Sequence, residues 1–345
     1  MKTQGRVLVL HTGGTFAMVL NPDKNASKQN KSVLNALLSH IPELSRIAEI
    51  NLEFISNIDS SDVDIRLWQK LARAIYDNWD RFDGVVIIHG TDTMAYTACA
   101  LSFLLAGLTK PVVLTGAQRP LSELRTDARA NLIDSVELAV SGIPEVMVCF
   151  DSVVYRGTRV TKRSSEHMQA FTSLHCPPLG QFGVHFTVNH SLAKPPIPLA
   201  LRHKPSLDLR ISERVFVLDV IPPTPVSDSV IEALLSNYKG VVLRGFGVGN
   251  LPLKNQSWLK MAEAAKEREI PLVIGSQCQT GTINLQTYEN GRKFARRGAM
   301  SGHNMGLECM VLKLMVMIGR EVPFEGRHEF FSTPLAAECG EVSHK

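Results

Sequence analysis

The chain has 345 residues, which is too long for one ordinary hydrophobic core and predicts two domains. Hydrophobic residues make up 44% of the chain and charged residues 20%, a composition that is typical of globular proteins and excludes a disordered or fibrous chain. The 37 basic and 33 acidic side chains give a formal net charge of only +4, which is too small to indicate a nucleic-acid-binding surface.

Short apolar runs alternate with helix-like segments along the first half of the chain. Because the apolar runs contain no regular polar alternation, they predict strands of a parallel sheet that helices cover on both faces. The predicted strands are residues 6–11, 52–56, 84–89, 111–115 and 145–150. The predicted helices between them are residues 62–79, 93–107 and 126–141.

A change of composition divides the chain near residues 191–212, which are rich in proline, basic and aperiodic, as in a linker. Strands and helices alternate again after it, at 215–220, 228–236, 240–244, 256–268, 271–275 and 306–319. We therefore predict an α/β fold with two domains. The larger N-terminal domain (1–190) contains a parallel Rossmann- or flavodoxin-like sheet, and the linker at 191–212 joins it to a smaller C-terminal α/β domain (213–345).

Three polar clusters follow the first three predicted strands: TGGT at 12–15, NIDSSDV at 57–63 and Thr91-Asp92-Thr93. Such residues are common helix N-caps, and paired glycines are common in tight turns. The carboxyl ends of parallel strands are also where open α/β sheets place their binding sites. If the three strands are neighbours, the clusters meet at one edge of the sheet and form a site, although capping remains an alternative for each. The glycines do not fit the dinucleotide or P-loop patterns.

Two motifs, TGGT at 12–15 and HGTDTM at 89–94, make the chain resemble bacterial-type L-asparaginases, in particular the cytoplasmic type I branch. Further matches to that family are DSSD at 59–62, KPVVLTGAQRPLSELRTDARANL at 110–132, YRGTRVTK at 155–162 and GVGN at 247–250. The similarity extends over the chain to about residue 335. The resemblance implies a hydrolase that converts L-asparagine to L-aspartate and ammonia through a threonine nucleophile and an acyl-enzyme, without a cofactor.

The resemblance also assigns catalytic roles. Thr15 matches the nucleophile, Thr91 and Asp92 match a second catalytic pair, and Lys162 matches the lysine that serves them. A threonine hydroxyl is a weak nucleophile and needs a base, and a lysine that loses its proton can supply one through a second hydroxyl. Judged by its neighbours RVTKRSS alone, Lys162 would instead be an ordinary surface lysine.

Substrate and effector residues are implied in the same way. The residues that match the substrate clamp are Asp59, Ser60, Ser61, Thr91, Asp92, Asn250 and Glu289. The last two resemble positions that approach the site of a neighbouring subunit. Type I members can also bind asparagine at an allosteric site, which Thr161, Arg244 and Cys278 match, although Cys278 is also interpretable as a core thiol. A helix cap remains an alternative for Ser60, Ser61 and Asp62 and is compatible with substrate binding.

Cysteine spacing, histidine spacing and hydropathy indicate the cellular compartment and the binding partners that we expect for this protein. The six cysteines form no C-x-x-C pair and predict reduced core thiols, and the eleven histidines show no metal-binding spacing. No stretch resembles a secretory segment or a membrane span. These features lead us to expect a cytoplasmic protein without metal, nucleic acid or membrane partners. The resemblance to the family implies in addition a homodimer or homotetramer. His11 and His89 end adjacent predicted strands and are interpreted as structural histidines with satisfied hydrogen bonds.

The loop at 16–32 departs from the family pattern, which has a tyrosine there, because the first tyrosine of this chain is Tyr76. We expect this loop to be mobile and the turnover to be weakened. Three functions therefore stay open. They are an L-asparaginase, a glutaminase-asparaginase or ammonia-supplying amidotransferase subunit, and a weakly active or silent amino-acid-binding regulator.

Overall fold

The computed structural model describes residues 5–14, 26–254 and 256–340. The chain divides into two compact units between Leu209 and Arg210, inside the segment for which a linker is predicted. Among the described residues, no helix is both long enough and apolar enough to cross a membrane.

The first unit contains twelve strands and five α-helices among its described residues. The strands are β1 (Gly5–Gly13), β2 (Ala48–Ile58), β3 (Gly84–Ile88), β4 (Leu105–Ala106), β5 (Val112–Thr115), β6 (Val146–Phe150), β7 (Val153–Arg156), β8 (Val160–Lys162), β9 (Phe171–Ser173), β10 (Gly180–Phe182), β11 (Phe186–Val188) and β12 (Ser206–Leu207). The helices are α1 (Ala26–His40), α2 (Leu44–Ile47), α3 (Ile65–Asp77), α4 (Met94–Leu104) and α5 (Ala128–Ala139).

Eight of these strands form one sheet in the order β11-β10-β7-β6-β5-β3-β1-β2. The segment β2-β1-β3-β5-β6 is parallel, which confirms the predicted sheet of five strands. Along this segment the chain passes from β1 to β2 on one side and then to β3 on the other. This is the strand order of flavodoxin-like sheets, whose binding sites lie where the order reverses, between β1 and β3.

Strands β7, β10 and β11 extend the sheet with antiparallel pairs that the sequence analysis did not predict. Each has only three or four residues, so no periodic pattern identifies it. Strands β8 and β9 form a separate two-stranded hairpin, and β4 pairs with β12.

Burial of apolar side chains explains why the central elements form. The strand β3 is buried along its whole length, and β1 is buried from Val7 onward, as expected for strands covered on both faces. The helix α3 begins after Asp64, whose carboxylate accepts the backbone N–H of Leu67 at 3.0 Å, and it buries an apolar face that includes Leu71 and Ile75.

The second unit is a smaller α/β layer with its own hydrophobic core. Its strands β13 (Val215–Asp219), β14 (Gly240–Gly245), β15 (Leu272–Ser276) and β16 (Met300–Ser301) pair in this order, all parallel. Its helices are α6 (Asp228–Asn237), α7 (Ser257–Glu267), α8 (Glu289–Ala295), α9 (Leu307–Gly319) and α10 (Arg327–Ser332). The predicted second α/β domain is thus confirmed as a fold, while β16, α8 and α10 were not predicted.

The six cysteines, all within the described residues, are present as thiols. Five are buried, as predicted, but Cys278 is exposed, so the interpretation of Cys278 as a core thiol is wrong.

Candidate active site

The carboxyl ends of β1, β2 and β3 meet at one edge of the large sheet, because β1 lies between the other two strands and runs parallel to both. Two glycines allow the segments after these strands to touch. Gly13 has φ +117°, and a Cβ there would lie 2.4 Å from the carbonyl oxygen of Ile58. Gly14 has φ +81°, and a Cβ there would lie 2.6 Å from the Cα of Gly90. The glycines of TGGT therefore serve close backbone packing at this edge.

Hydroxyl groups join the three segments further. The Thr12 hydroxyl donates to the carbonyl of Ile88 at 3.0 Å, and the Ser56 hydroxyl donates to the carbonyl of Thr12 at 3.0 Å. The Thr93 hydroxyl donates to the carbonyl of Ser60 at 2.6 Å. The three polar clusters thus form one connected surface, as the neighbouring strands predict.

The structure tests the capping interpretation of Thr91-Asp92-Thr93. Helix α4 begins at Met94, and its N-cap residue Thr93 makes no side-chain capping bond. The side chains of Thr91 and Asp92 are hydrogen-bonded to Lys162. The capping interpretation is therefore wrong for this cluster.

At the second cluster the capping residue is Asp59, and the following helix α3 is capped by Asp64, so the interpretation of Ser60, Ser61 and Asp62 as a helix cap is wrong. A short 3₁₀ turn covers Ser60–Asp62, and Asp59 caps it. One oxygen of Asp59 accepts both the backbone N–H and the hydroxyl of Ser61, each at 2.8 Å. These two hydrogen bonds hold the pKa of the Asp59 carboxyl below its usual value. Ser60 is buried beside Gly90, where an added Cβ would lie 2.6 Å from the Ser60 Cβ.

Lys162 reaches the third cluster from hairpin β8–β9. Its Nζ lies 2.7 Å from the Thr91 Oγ1 and 2.7 Å from the Asp92 Oδ1. Only 16% of the Lys162 side chain is exposed, so its interpretation as an ordinary surface lysine is wrong. The structure thus brings together Lys162, Thr91 and Asp92 from segments that lie 70 residues or more apart in the chain.

Gln118, for which the sequence predicts no role, also contacts this group. The Thr91 hydroxyl donates to the Gln118 Oε1 at 3.3 Å, and the Gln118 Nε2 donates to the carbonyl of His167 at 3.1 Å. The backbone N–H of Gln118 is bound by the Asp127 carboxylate at 2.9 Å. Gln118 lies inside the family-like segment 110–132, which was the signal available for finding it.

The two histidines at the strand ends differ. His89 has both ring nitrogens within hydrogen-bond distance of partners, so its interpretation as a satisfied structural residue is confirmed. Burial lowers the pKa of each ring to about 4. His11 stacks on Phe54 with ring centroids 5.2 Å apart, and the backbone of Ser56, as a hydrogen-bond partner of the ring, raises its pKa against the larger effect of burial. Neither ring nitrogen of His11 has a partner at full hydrogen-bond geometry in the described part of the chain, so the satisfied hydrogen bonds expected of His11 stay a prediction.

The remaining predicted site residues fall into two groups. Thr15 and residues 16–25 of the loop predicted at 16–32 lie outside the described residues, whereas residues 26–32 belong to helix α1, so the expectation of a loop is wrong for them. Asn250 and Glu289 lie in the second unit, where the backbone of Asn250 pairs with Phe246 and Glu289 forms an ion pair with Arg292 at 3.1 Å.

The three residues predicted to form an allosteric site are divided between the units. Thr161 lies in β8 of the first unit, whereas Arg244 and Cys278 lie in the second. Both contact Ser276, because Arg244 donates to its carbonyl at 3.3 Å and the Cys278 N–H donates to its hydroxyl at 3.0 Å. Among residues 5–14, 26–254 and 256–340, no group of three or more His, Cys, Asp or Glu side chains is arranged to hold a metal ion.

Comparisons with known proteins agree with this architecture. The family model described as "Asparaginase, N-terminal" matches residues 6–194, and "Glutaminase/Asparaginase C-terminal domain" matches residues 214–331. The chain is 34% identical to L-asparaginase 1 of Escherichia coli K12, over 96% of this chain and 97% of that protein. It is 32% identical to one of the subunits of the glutamyl-tRNA(Gln) amidotransferase of Pyrococcus abyssi, over 96% of this chain and 76% of that protein. The solved structure of the thermostable L-asparaginase from Thermococcus kodakarensis superposes with a TM-score of 0.84 at 30% identity, over 97% of this chain and 99% of that one.

Proposed function

Because this chain belongs to the asparaginase family, we propose that it is an L-asparaginase, which hydrolyses L-asparagine to L-aspartate and ammonia. It is a hydrolase that acts on an amide bond. The observation that carries the proposal is the contact of the Lys162 Nζ with both the Thr91 Oγ1 and the Asp92 Oδ1 at 2.7 Å, at the sheet edge where the TGGT segment ends. This group offers a base, a hydroxyl that relays a proton and a carboxylate within one hydrogen-bonded cluster.

In the proposed reaction, the Thr15 hydroxyl attacks the side-chain amide carbon, the C–N bond breaks, and ammonia leaves an ester on Thr15. Water then attacks this ester and releases aspartate. Lys162 takes up a proton through the Thr91 hydroxyl and returns it to the leaving group. The side chain of Asp92 is 65% exposed, so its second oxygen is accessible to the ammonium group of the substrate. Asp59, Ser60 and Ser61 complete the clamp from the neighbouring segment.

The same proposal includes the localisation, the oligomeric state, the domain bounds and the allosteric site that the family resemblance implies. We propose a cytoplasmic homodimer or homotetramer with domains at 1–190 and 213–345, in which Asn250 and Glu289 contribute to a neighbouring subunit's site. An allosteric asparagine site at Thr161, Arg244 and Cys278 is supported by the exposed thiol of Cys278 and by the shared contact of Arg244 and Cys278 with Ser276. Light scattering and the dependence of rate on asparagine concentration test these features.

Ammonia release by the purified full-length chain tests the reaction, with L-asparagine and L-glutamine supplied separately. We expect release from asparagine. The Thr15→Ala variant should lose it, and Lys162→Met should lower kcat by about 10²–10⁴-fold, the usual contribution of an acid–base group, with a smaller change in KM. A matched control is Lys204→Met, which removes an exposed lysine paired with Asp80 at 3.3 Å in the same unit.

Two other outcomes would replace the proposal. Equal or faster release from glutamine would indicate a glutaminase-asparaginase, an activity that the name of the matching C-terminal family model includes. Binding of asparagine without ammonia release would indicate a silent regulator, which the absence of tyrosine from residues 16–32 favours. If Lys162→Met lowered only affinity and left turnover intact, Lys162 would be an electrostatic clamp and its assigned role would be wrong.

A further inference from the structure

A line of buried hydrogen bonds runs from helix α3 to the backbone that precedes Thr91. The indole N–H of Trp68 lies 2.9 Å from the Thr97 Oγ1, and the Thr97 Oγ1 lies 3.0 Å from the His89 Nε2. The His89 Nδ1 lies 2.7 Å from the carbonyl oxygen of Gly90. Trp68, Thr97 and His89 belong to three different segments, and none of the three is more than 7% exposed.

The chemistry of the groups fixes the direction of every bond in this line. A carbonyl oxygen only accepts, so the Nδ1 of His89 carries a proton and donates it to Gly90. Burial lowers the pKa of His89 to about 4, so the ring is neutral near pH 7 and its Nε2 is an acceptor. An indole N–H only donates, so the Thr97 oxygen accepts from Trp68 and its own proton points to the Nε2 of His89. Trp68, Thr97 and His89 therefore donate in one direction, towards Gly90.

The Gly90 carbonyl matters for the site because it belongs to the peptide unit that ends at the nitrogen of Thr91. This unit is planar, so the orientation of the Gly90 carbonyl also fixes the position of the Thr91 backbone nitrogen. Gly90 is also the point where the site segments touch, since a Cβ on Gly14 would lie 2.6 Å from its Cα and a Cβ on Gly90 itself would lie 2.6 Å from the Ser60 Cβ. A shift of this peptide would move the Thr91 Oγ1 away from the Lys162 Nζ.

We propose that Trp68, Thr97 and His89 are positioning residues. Their hydrogen bonds, which all donate towards Gly90, orient the Gly90–Thr91 peptide and keep the Thr91 hydroxyl within hydrogen-bond distance of the Lys162 Nζ. The inference rests on the proposed function, because it assigns the hydroxyl a part in amide hydrolysis. None of the three side chains needs to touch the substrate. Their effect is on the rate of the chemical step, because a small displacement of a reacting group lowers the rate more than it lowers binding.

Two pairs of variants test the inference in the full-length chain. Thr97→Val removes the hydroxyl while keeping the side-chain shape, and Thr97→Ser restores it. Trp68→Phe removes the indole N–H at the start of the line. Its matched control is Trp79→Phe, because the indole of Trp79 is also buried in this unit and donates to a carbonyl, that of His203, at 2.9 Å.

We expect Thr97→Val and Trp68→Phe to lower kcat for asparagine about tenfold or more, with KM changed much less. Thr97→Ser should recover most of the rate, and Trp79→Phe should keep the wild-type kcat even where it lowers the thermal midpoint. Loss of kcat in proportion to lost thermal stability in all four variants would overturn the inference.

The tautomer of His89 gives a readout that does not depend on turnover. Nitrogen NMR of the imidazole should show the proton on Nδ1 in the wild-type protein, and the Thr91 amide resonance should shift in Thr97→Val but not in Trp79→Phe. A proton on Nε2 in the wild-type protein would overturn the hydrogen-bond chain. An inactive wild-type protein with the expected tautomer would instead overturn the proposed function and leave the positioning of the Gly90–Thr91 peptide supported.

Discussion

Thr93 immediately precedes helix α4, where a threonine usually caps the first turn, yet its hydroxyl donates to the carbonyl of Ser60 at 2.6 Å. The contact joins two parts of the site, the turn after β2 that carries Ser60 and the turn after β3 that carries Thr91. At the scale of single residues, this site is therefore held by small hydroxyl groups and glycines that connect neighbouring turns.

We predict that Thr93→Val will raise KM for asparagine about five- to tenfold while kcat falls less, because one hydrogen bond contributes about 1 kcal/mol and its loss here loosens the substrate clamp. Steady-state kinetics measures both constants. Thr93→Ser keeps the hydroxyl and should behave like the wild-type protein. An equal defect in the serine and valine variants would show that the methyl group matters and the hydrogen bond does not.

At the scale of elements, the hairpin β8–β9 decides where Lys162 lies. In this hairpin Lys162 pairs with Phe171. The buried ring of Phe171 packs on Phe150 with centroids 5.0 Å apart, and the hydroxyl of Tyr155 donates to the Phe171 carbonyl at 3.1 Å. A hairpin of two three-residue strands has few ladder bonds of its own, so these contacts with the large sheet stabilise its position.

We predict that Phe171→Leu will lower kcat several-fold, because the smaller side chain lets the hairpin and Lys162 shift. Phe82→Leu is the matched control, since Phe82 is also buried in this unit but precedes β3, at the opposite end of the strands from the site. Both variants should lose about 1 kcal/mol of unfolding free energy. Steady-state kinetics together with urea unfolding separates a shift of Lys162 from a general loss of stability. Equal activity in the two variants would contradict the role given to the hairpin.

At the scale of the whole molecule, buried titratable groups make stability depend on pH. Burial lowers the pKa of His11 and of His89 from 6.5 to about 4. In the second unit, burial alone would raise the pKa of the Glu338 carboxyl, but the charge of Lys313, 2.6 Å away, and further hydrogen bonds outweigh it and lower that pKa. For all three groups the unfolded chain binds more protons than the folded one as the solution becomes acidic, so acid destabilises the fold.

We predict that the free energy of unfolding will fall as the pH is lowered from about 6.5 to about 4, with about 3 kcal/mol lost for each histidine. The loss starts at the unfolded pKa of histidine and is complete at the folded one. Urea unfolding at pH 7.5, 5.5 and 4.5 measures it. His11→Phe keeps a ring beside Phe54 but cannot titrate, so the slope between pH 6.5 and 4 should be about half as steep. An unchanged slope in this variant would show that His11 is not protonated on unfolding.

The amino-acid sequence alone determined the parallel core of the first unit, the α/β order of the second, and the sheet edge at which the polar clusters meet. These features follow from periodicity and motifs within short stretches of chain, where each signal lies in neighbouring residues. The resemblance to the family also pointed to Thr91 and Asp92, which lie in HGTDTM, and to Lys162, which lies in YRGTRVTK.

Only the tertiary structure decided which polar groups find partners. Lys162 and Thr91 lie 71 residues apart, and their contact depends on a three-residue strand whose position is set by packing on the large sheet. Within the described residues, neither ring nitrogen of the buried His11 has a partner at full hydrogen-bond geometry. Thr93 binds a neighbouring turn and does not cap its helix. Such contacts join segments that are distant in sequence, so local propensity does not specify them, and the fold selects one partner among several that are chemically equivalent.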